Sequence, residues 1–202
     1  LHGDESGWRV NGKTYWIWCF THPQTTAYFI HPSRGSPALH QFFKDAFEGT
    51  LVSDFWSAYD AVAIGKRQFC LAHLLRELEK VDATNSSEEW CAFSKKTKRL
   101  FHDALRLRHQ DDFSPETYAS RIERLNQRLV GLMLITSPDA DVKRLANRLK
   151  KYWDELLVFL DDPNVPPTNN HAEREIRPAV IMRKVIQGNR SEKGAHTQSV
   201  LM

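Results

Sequence analysis

Strand-forming patterns are confined to the first 70 residues of this 202-residue chain, and no strand signal follows Leu71. A first strand leads through Asn11-Gly12, a dipeptide typical of tight hairpin turns, into the β-rich run 14–20. Further strands are predicted in three short runs, at 25–30, 49–54 and 66–70. The sequence therefore predicts an α/β protein whose sheet of about five strands comes from the first third of the chain.

The remainder of the chain is predicted to be helical, because apolar residues recur every three or four positions. An early helix is predicted over 38–46, within the strand-forming part. Later helices are predicted around four apolar stripes, at 71–78, 93–104, 118–132 and 142–156. We predict that the last two form an antiparallel pair joined through 136–139. Stripes of this kind usually form cores, so we interpret them as scaffold.

Two acids occupy positions where α/β proteins place ligands. Asp4 lies on the first predicted strand, and Asp54 closes the short apolar run 49–54 and precedes a predicted turn into a helix. Ligands of open α/β sheets bind at the carboxyl ends of inner strands, which favours a functional Asp54. Each acid also has an ordinary interpretation, Asp4 as a turn residue and Asp54 as a helix N-cap.

A third acid, Glu173, lies among amides and arginines in the segment PPTNNHAEREIRP, 166–178. On a helix Asn169, Asn170 and Arg177 share its face, since they are three or four residues away. This grouping suits a site that holds a metal ion against a phosphate. The alternative is a solvated helix start with Asn169 or Asn170 as the N-cap. Capping does not predict three acids placed in this way.

Positive charge is concentrated next to Glu173, although the net charge of the chain is only +3. Six basic residues stand against Glu175 and Glu192 between 174 and 193, a local excess of four: Arg174, Arg177, Arg183, Lys184, Arg190 and Lys193. Such a segment neutralises DNA phosphates and gives binding that depends on salt. A solvated helix face is the alternative.

Four blocks of sequence resemble the catalytic domain of DDE transposases of the insertion-sequence-66 family, and the resemblance extends over essentially the whole chain. They are HGDESGWRVNGKTYW, VSDFWSAYDAV, CLAHLLREL and VPPTNNHAEREIRPAVIMRKVIQGNRSEKGA. The resemblance implies that Asp4, Asp54 and Glu173 are an acidic triad on a ribonuclease-H-like core. It also implies two divalent cations, Mg²⁺ with Mn²⁺ as a substitute, bound by these three carboxylates.

The spacing of the triad predicts an insertion. The 50 residues from Asp4 to Asp54 suit three strands, a helix and a fourth strand, whereas the 119 residues from Asp54 to Glu173 are too many for one strand and one helix. We therefore expect a mixed sheet flanked by helices, with a large all-α insertion before the last catalytic helix. The expected divisions are a first core part at 1–87, the insertion at 88–161 and a closing core part at 162–202.

The function implied by the resemblance is cleavage at transposon ends and transfer of the cut strand into target DNA. Its partners would be the DNA of the transposon ends, the target DNA and, in the active complex, further copies of the chain. The sequence does not decide whether helper proteins are needed. Two other functions fit the residues: a metal-dependent nuclease that does not join strands, and an inactive DNA-binding or assembly remnant. A paired-carboxylate glycosidase is a poor fit, because the basic surroundings suit an anionic substrate.

Several residues are predicted to assist the triad. Asn169 and Asn170 would orient Glu173 or contact DNA, and Arg177 would clamp a phosphate. Further second-shell or DNA-binding residues are predicted at five positions: Arg174, Arg183, Lys184, His73 and Arg76. Cys70 and His73 supply only two of the four ligands of a structural zinc site, with Cys91 the one spare thiol, so zinc is not favoured. Within the insertion we expect Arg121, Arg124 and Arg128, on one face of a predicted helix, to contact DNA or a second protomer.

No stretch approaches the length of a membrane span, and no signal peptide is recognised. Three irregularly spaced cysteines argue against a disulfide scaffold. We expect a protein of the bacterial cytoplasm, associated with the nucleoid when it acts, and a piece of a longer protein whose end-recognition part lies elsewhere.

Overall fold

The computed structural model of the protein describes residues 1–44, 46–110 and 113–202. These residues form two compact units. The first, which we call the sheet unit, consists of Leu1–Phe69 and Thr168–Met202. The second, the helical unit, consists of Cys70–Pro167. Its limits are wider than the 88–161 expected from the sequence.

The sheet unit contains a mixed five-stranded sheet, as the sequence predicts. The strands are β1 (His2–Val10), β2 (Lys13–His22), β3 (Thr25–His31), β4 (Ala46–Ser53) and β5 (Ala63–Phe69). Their order across the sheet is β3-β2-β1-β4-β5. The first three pair antiparallel, while β4 lies parallel to both β1 and β5. The strand that carries Asp4 is therefore the central one.

Eight α-helices occur in the described residues. They are α1 (Ser36–Phe43), α2 (Leu71–Asp82), α3 (Glu88–Leu107), α4 (Pro115–Met133), α5 (Ala140–Lys151), α6 (Val158–Asp161), α7 (Asn170–Ile186) and α8 (Glu192–Leu201). No helix in these residues is long and apolar enough to cross a membrane.

Local sequence explains the hairpin of β1 and β2. Asn11 and Gly12 both adopt positive φ angles, 47° and 74°, as a two-residue turn between twisted strands requires. The pairing continues without a break from Val10 and Lys13 to His2 and Thr21. Since successive side chains point to opposite faces, this register also fixes which residues of β1 share a face with Asp4.

The two faces of the sheet pack against different helices. On one face Trp18, Phe20 and Leu51 form a core with α1 and with a 3₁₀ helix at Ser57–Ala61. On the other, Trp8, Ile17 and Cys19 of β1 and β2 form a core with residues of α7 and α8, namely Ile176, Ala179 and Ala195. Asp4 pairs directly with Cys19 across the strands, so its side chain belongs to the face that α7 covers.

Three helix predictions need correction. Ala46 was predicted in the first helix but lies in β4, because α1 ends at Phe43 and Lys44 takes a left-handed φ of 56°. The residues after Asp54 form a five-residue 3₁₀ helix that leads directly into β5, so there is no room for a longer helix. Tyr152 and Leu156 lie beyond α5, which ends at Lys151.

The helical unit begins earlier than predicted because α2 packs with the helices that follow it. Asp82, the last residue of α2, accepts hydrogen bonds from Trp90 Nε1 at 2.9 Å and Ser94 Oγ at 2.7 Å. Glu77 of α2 forms ion pairs with Arg144 and Arg148 of α5. These contacts tie α2 to α3 and α5, so the unit starts at Cys70.

Candidate active site

Asp4 and Asp54 lie at corresponding positions of two neighbouring parallel strands. The register pairs His2 of β1 with Val52 of β4, and each acid lies two residues beyond its member of that pair. Because side chains alternate along a strand, this spacing brings both acids to the same level and face of the sheet. Asp54 directly follows β4, and its Oδ1 accepts a hydrogen bond from the Trp56 amide at 2.9 Å, which turns the chain away.

The electrostatics of Asp4 indicate that several carboxyl groups lie close together. Burial, with the charges of Glu5, Asp54 and Glu173, raises the pKa of Asp4 to about 7. A hydrogen bond from the Glu5 amide, 2.9 Å away, acts in the opposite direction. Asp54 lies 50 residues after Asp4, and Glu173 lies a further 119 residues along the chain, yet the charges of both act on the Asp4 carboxyl group. The fold therefore brings their charges within reach of Asp4.

Glu173 lies in the first turn of α7, where the helix dipole favours a carboxylate. The residue before this helix, Asn169, is 1% exposed. Its Nδ2 donates to the carbonyl of Gly3 at 2.7 Å, and its Oδ1 lies 3.2 Å from Nδ1 of His2. Since an amide oxygen only accepts, the His2 ring must donate here, in agreement with a His2 pKa that burial lowers to about 4. Asn169 thus joins the start of α7 to the strand of Asp4.

Further contacts hold α7 across the sheet. His171 Nε2 lies 3.2 Å from Thr21 Oγ1 of β2, and the hydroxyl of Tyr28 in β3 donates to the carbonyl of Glu175 at 2.7 Å. Arg183 donates to Ser6 Oγ at 3.2 Å and to the carbonyl of Gly7. Helix α7 is therefore fixed to β1, β2 and β3 along much of its length, which fixes the backbone of Glu173.

The predicted assisting residues fall into separate groups. Asn170, Arg177 and Lys184 are exposed, so their side chains are accessible to DNA. The Asn169 side chain is buried and donates to Gly3, and Arg183 donates to Gly7, so both hold α7 to β1. Arg174 is exposed and contacts the His171 ring at 2.8 Å.

His73 and Arg76 both lie on α2 of the helical unit. The Nε of Arg76 donates to the carbonyl of Ala72, one turn earlier, at 3.2 Å. Cys70 is the N-cap residue of the same helix. The second-shell role predicted for His73 and Arg76 stays a prediction.

Sequence reasoning missed a buried ion pair beneath the candidate site. The Glu5 side chain is 2% exposed and accepts from Arg34 Nε at 3.0 Å and from the Tyr59 hydroxyl at 3.3 Å. The Arg34 guanidinium lies between two rings, 4.7 Å from Trp16 and 4.1 Å from Trp56. These residues have no regular spacing in the sequence from which their contacts could be predicted. Strand alternation alone would have shown that Glu5 faces away from Asp4.

Replacing Asn169 with Ala is expected to destabilise the protein by about 1–3 kcal/mol, because it leaves a buried carbonyl and a buried imidazole without their partner. Loss of this anchor also allows Glu173 to shift, so we expect activity to fall by at least about tenfold. The matched control is Asn170→Ala, since Asn170 is exposed. Thermal unfolding and turnover indistinguishable between the two variants would contradict the anchoring role.

Comparison with known proteins identifies a family for the chain. No curated protein and no solved structure matches the chain. A family model described as Transposase IS66 family matches residues 1–197, nearly the whole chain, including Asp4, Asp54 and Glu173. The chain therefore belongs to the IS66 family of transposases.

Proposed function

We propose that the chain is the catalytic domain of a DDE transposase and that Asp4, Asp54 and Glu173 are its acidic triad. The observation that carries the proposal is the placement of these acids: Asp4 and Asp54 lie level on neighbouring parallel strands, and Asn169 anchors the start of the helix that carries Glu173 to β1. The charges of Asp54 and Glu173 accordingly both raise the pKa of Asp4. Membership of a transposase family supplies the class of reaction and makes DNA the substrate.

The architecture supports a ribonuclease-H-like core. Three antiparallel strands continue into two parallel ones within a single mixed sheet, with helices on both faces. The compact helical unit, Cys70–Pro167, lies in the sequence between β5 and α7. This position supports the proposal of an all-α insertion ahead of the helix that carries Glu173.

The residues present fit a divalent metal centre. Carboxylate oxygens are the hard ligands that Mg²⁺ and Mn²⁺ prefer. The raised pKa of Asp4, near 7, reflects burial and neighbouring negative charge, both of which a bound cation offsets. Asp4 would contact both ions, Asp54 one and Glu173 the other. When bound, two divalent cations activate the attacking oxygen and neutralise charge on the leaving oxygen.

The protein's own residues would then position two successive displacements at phosphorus. In the first, water attacks the phosphodiester at the transposon end and releases a 3′ hydroxyl. In the second, that hydroxyl attacks a phosphodiester of the target, so one bond forms as another breaks. Exposed Arg177 and Lys184 on α7 would bind DNA phosphates, and the anchored helix would hold Glu173 still.

We further propose that the active complex contains more than one copy of the chain and acts on DNA in the bacterial cytoplasm, with accessory proteins where the ends require them. Joining two transposon ends to one target needs two reaction centres held together. The exposed basic residues of α7 favour such a DNA-bound assembly.

A strand-transfer assay separates this function from simple hydrolysis. The complete transposase is incubated with Mg²⁺, a plasmid target and a transposon end already cut to a 3′ hydroxyl. We expect a joined product, and none when the end carries a 3′-deoxy terminus, because the attacking oxygen is then missing. Cleavage of the DNA without a joined product, whether the end carries a 3′ hydroxyl or a 3′-deoxy terminus, would instead identify a nuclease.

A further inference from the structure

A groove lined by arginines lies in the helical unit and shares no residue with the candidate active site. It has a volume of about 320 Å³ and lies between α3 and α4. Four of its lining residues are arginines, one from α3 and three from α4: Arg106, Arg121, Arg124 and Arg128. Two distant parts of the sequence thus contribute cations to one groove.

Neighbouring side chains hold these arginines in place. The Arg121 guanidinium stacks 4.0 Å from the centre of the Phe113 ring. Arg124 donates to Ser120 Oγ, one turn earlier, at 3.3 Å. Arg128 donates to Asp103 at 2.8 Å. Because part of their motion is already restricted, binding of an anion costs less side-chain entropy.

The positive charge of the groove is not balanced by its own acid. Among the described lining residues Asp103 is the one carboxylate, which leaves a formal charge of +3 beside the four arginines. Asp103 is also shared, since Arg106 lies 3.6 Å and Arg99 4.0 Å from its oxygens. Asp111 and Asp112, which follow Gln110 in the sequence, lie outside the described residues.

The groove offers charge but little accessible apolar surface. Its two leucines, Leu107 and Leu125, are only 4% and 5% exposed and form a floor beneath the arginines. Protein partners usually dock through exposed apolar anchors, which this lining lacks in the described residues. Planar guanidinium groups match the geometry of phosphate oxygens.

We propose that this groove binds the phosphate backbone of duplex DNA and gives the helical unit its own hold on the substrate. The proposal rests on the proposed function, which makes DNA the substrate of the chain. It assigns the groove a role in binding rather than in chemistry. Substitutions in the groove should therefore affect DNA binding, whereas substitutions in the active site should affect the reaction.

The test is DNA binding by the 202-residue chain in EDTA, measured as fluorescence anisotropy of a labelled duplex over a range of salt concentrations. Arg106→Gln with Arg124→Gln is the informative variant, because Arg106 lies at 3.6 Å from Asp103 of its own helix and Arg124 bonds to Ser120 of its own helix. Arg121 and Arg128 are left unchanged, since Arg121 stacks on Phe113 and Arg128 joins α4 to α3 through a 2.8 Å ion pair. The control is Lys143→Gln with Lys150→Gln, which removes the same charge from exposed positions of α5. Circular dichroism and melting temperature establish that both variants are folded.

We expect the arginine variant to weaken binding at least about tenfold and to reduce the slope of log affinity against log salt by about 1–2, as loss of two phosphate contacts predicts. The lysine control should change affinity less than about twofold. Equal loss in both variants, or none in either, would overturn the proposal. So would unchanged DNA affinity combined with loss of self-association in sedimentation, which would identify the groove as a contact between copies. Since EDTA prevents metal-dependent chemistry, failure here leaves the proposed active site untouched.

Discussion

Replacing Asp4 or Asp54 with Asn, or Glu173 with Gln, is expected to abolish both cleavage and joining while the protein remains folded. Each acid would hold a divalent cation that stabilises the phosphoryl transition state, and loss of one such stabilising group reduces turnover by about 10²–10³-fold or more. The stability of the variants should be unchanged or higher, because each substitution removes negative charge from a site where acids already raise the pKa of Asp4. Turnover is measured with the complete transposase and its transposon ends.

Glu175→Gln is the matched control for Glu173→Gln. Both residues lie on α7, two positions apart, and undergo the same chemical change. The Glu175 side chain contacts Arg174 at 3.5 Å, and its backbone carbonyl accepts a hydrogen bond from Tyr28 of β3. Near-normal activity is expected for the control. DNA affinity should be retained in all four variants because it depends on many phosphate contacts. Normal turnover in the Asp4 or Asp54 variant would remove that residue from the triad.

Arg34→Ala is expected to destabilise the protein by about 2–4 kcal/mol, the largest effect on stability that we predict. The substitution leaves Oε1 of the buried Glu5 carboxylate without the Nε and Nη2 groups of Arg34 that contact it, and removes a cation from between Trp16 and Trp56. Breaking a fully buried pair costs about 3–5 kcal/mol, and Arg34 is 37% exposed, so water offsets part of that cost. Chemical denaturation in EDTA measures the difference.

The loss of stability caused by Arg34→Ala should grow as the pH rises. Burial and the charge of Asp54 raise the pKa of Glu5, while Arg34 lowers it, so removing Arg34 raises the folded pKa further. A carboxyl group whose pKa is higher in the folded state than in the unfolded state binds more protons when the protein is folded. The stability of the protein therefore falls as the pH rises from the pKa of the unfolded state through that of the folded state. Arg34→Ala should therefore be less impaired at pH 5 than at pH 8. Adding Glu5→Gln should restore part of the stability at pH 8. A deficit that is independent of pH, and unchanged by Glu5→Gln, would contradict this account.

Much of the sheet could be predicted because its determinants are local. The Asn11-Gly12 turn, the β-rich runs and the apolar run before Asp54 each specify their own segment, and the five strands occur where these patterns place them. Ala46 was misassigned because its helical spacing continues past Phe43, while the backbone reverses at Lys44. Periodicity does not register such a reversal.

The contacts that position the candidate site could not be predicted, because they join residues distant in sequence. The amide of Asn169 resembles a helix cap in the sequence, yet it makes no capping bond and instead binds Gly3 and His2. Arg183 resembles a DNA contact but donates to β1. For both residues the type and spacing in the sequence do not reveal these partners, which come from the tertiary pairing of α7 with β1.

The most direct test of the account is a crystal of the protein soaked in Mn²⁺ and measured for anomalous scattering. We predict two peaks beside the carboxylates of Asp4, Asp54 and Glu173, roughly 3.5–4 Å apart as in two-metal phosphoryl-transfer sites, with Asp4 contacting both. The peaks should be lost in a crystal of Asp54→Asn grown and soaked in the same way. Manganese bound elsewhere, with none beside these three acids, would contradict the proposed active site.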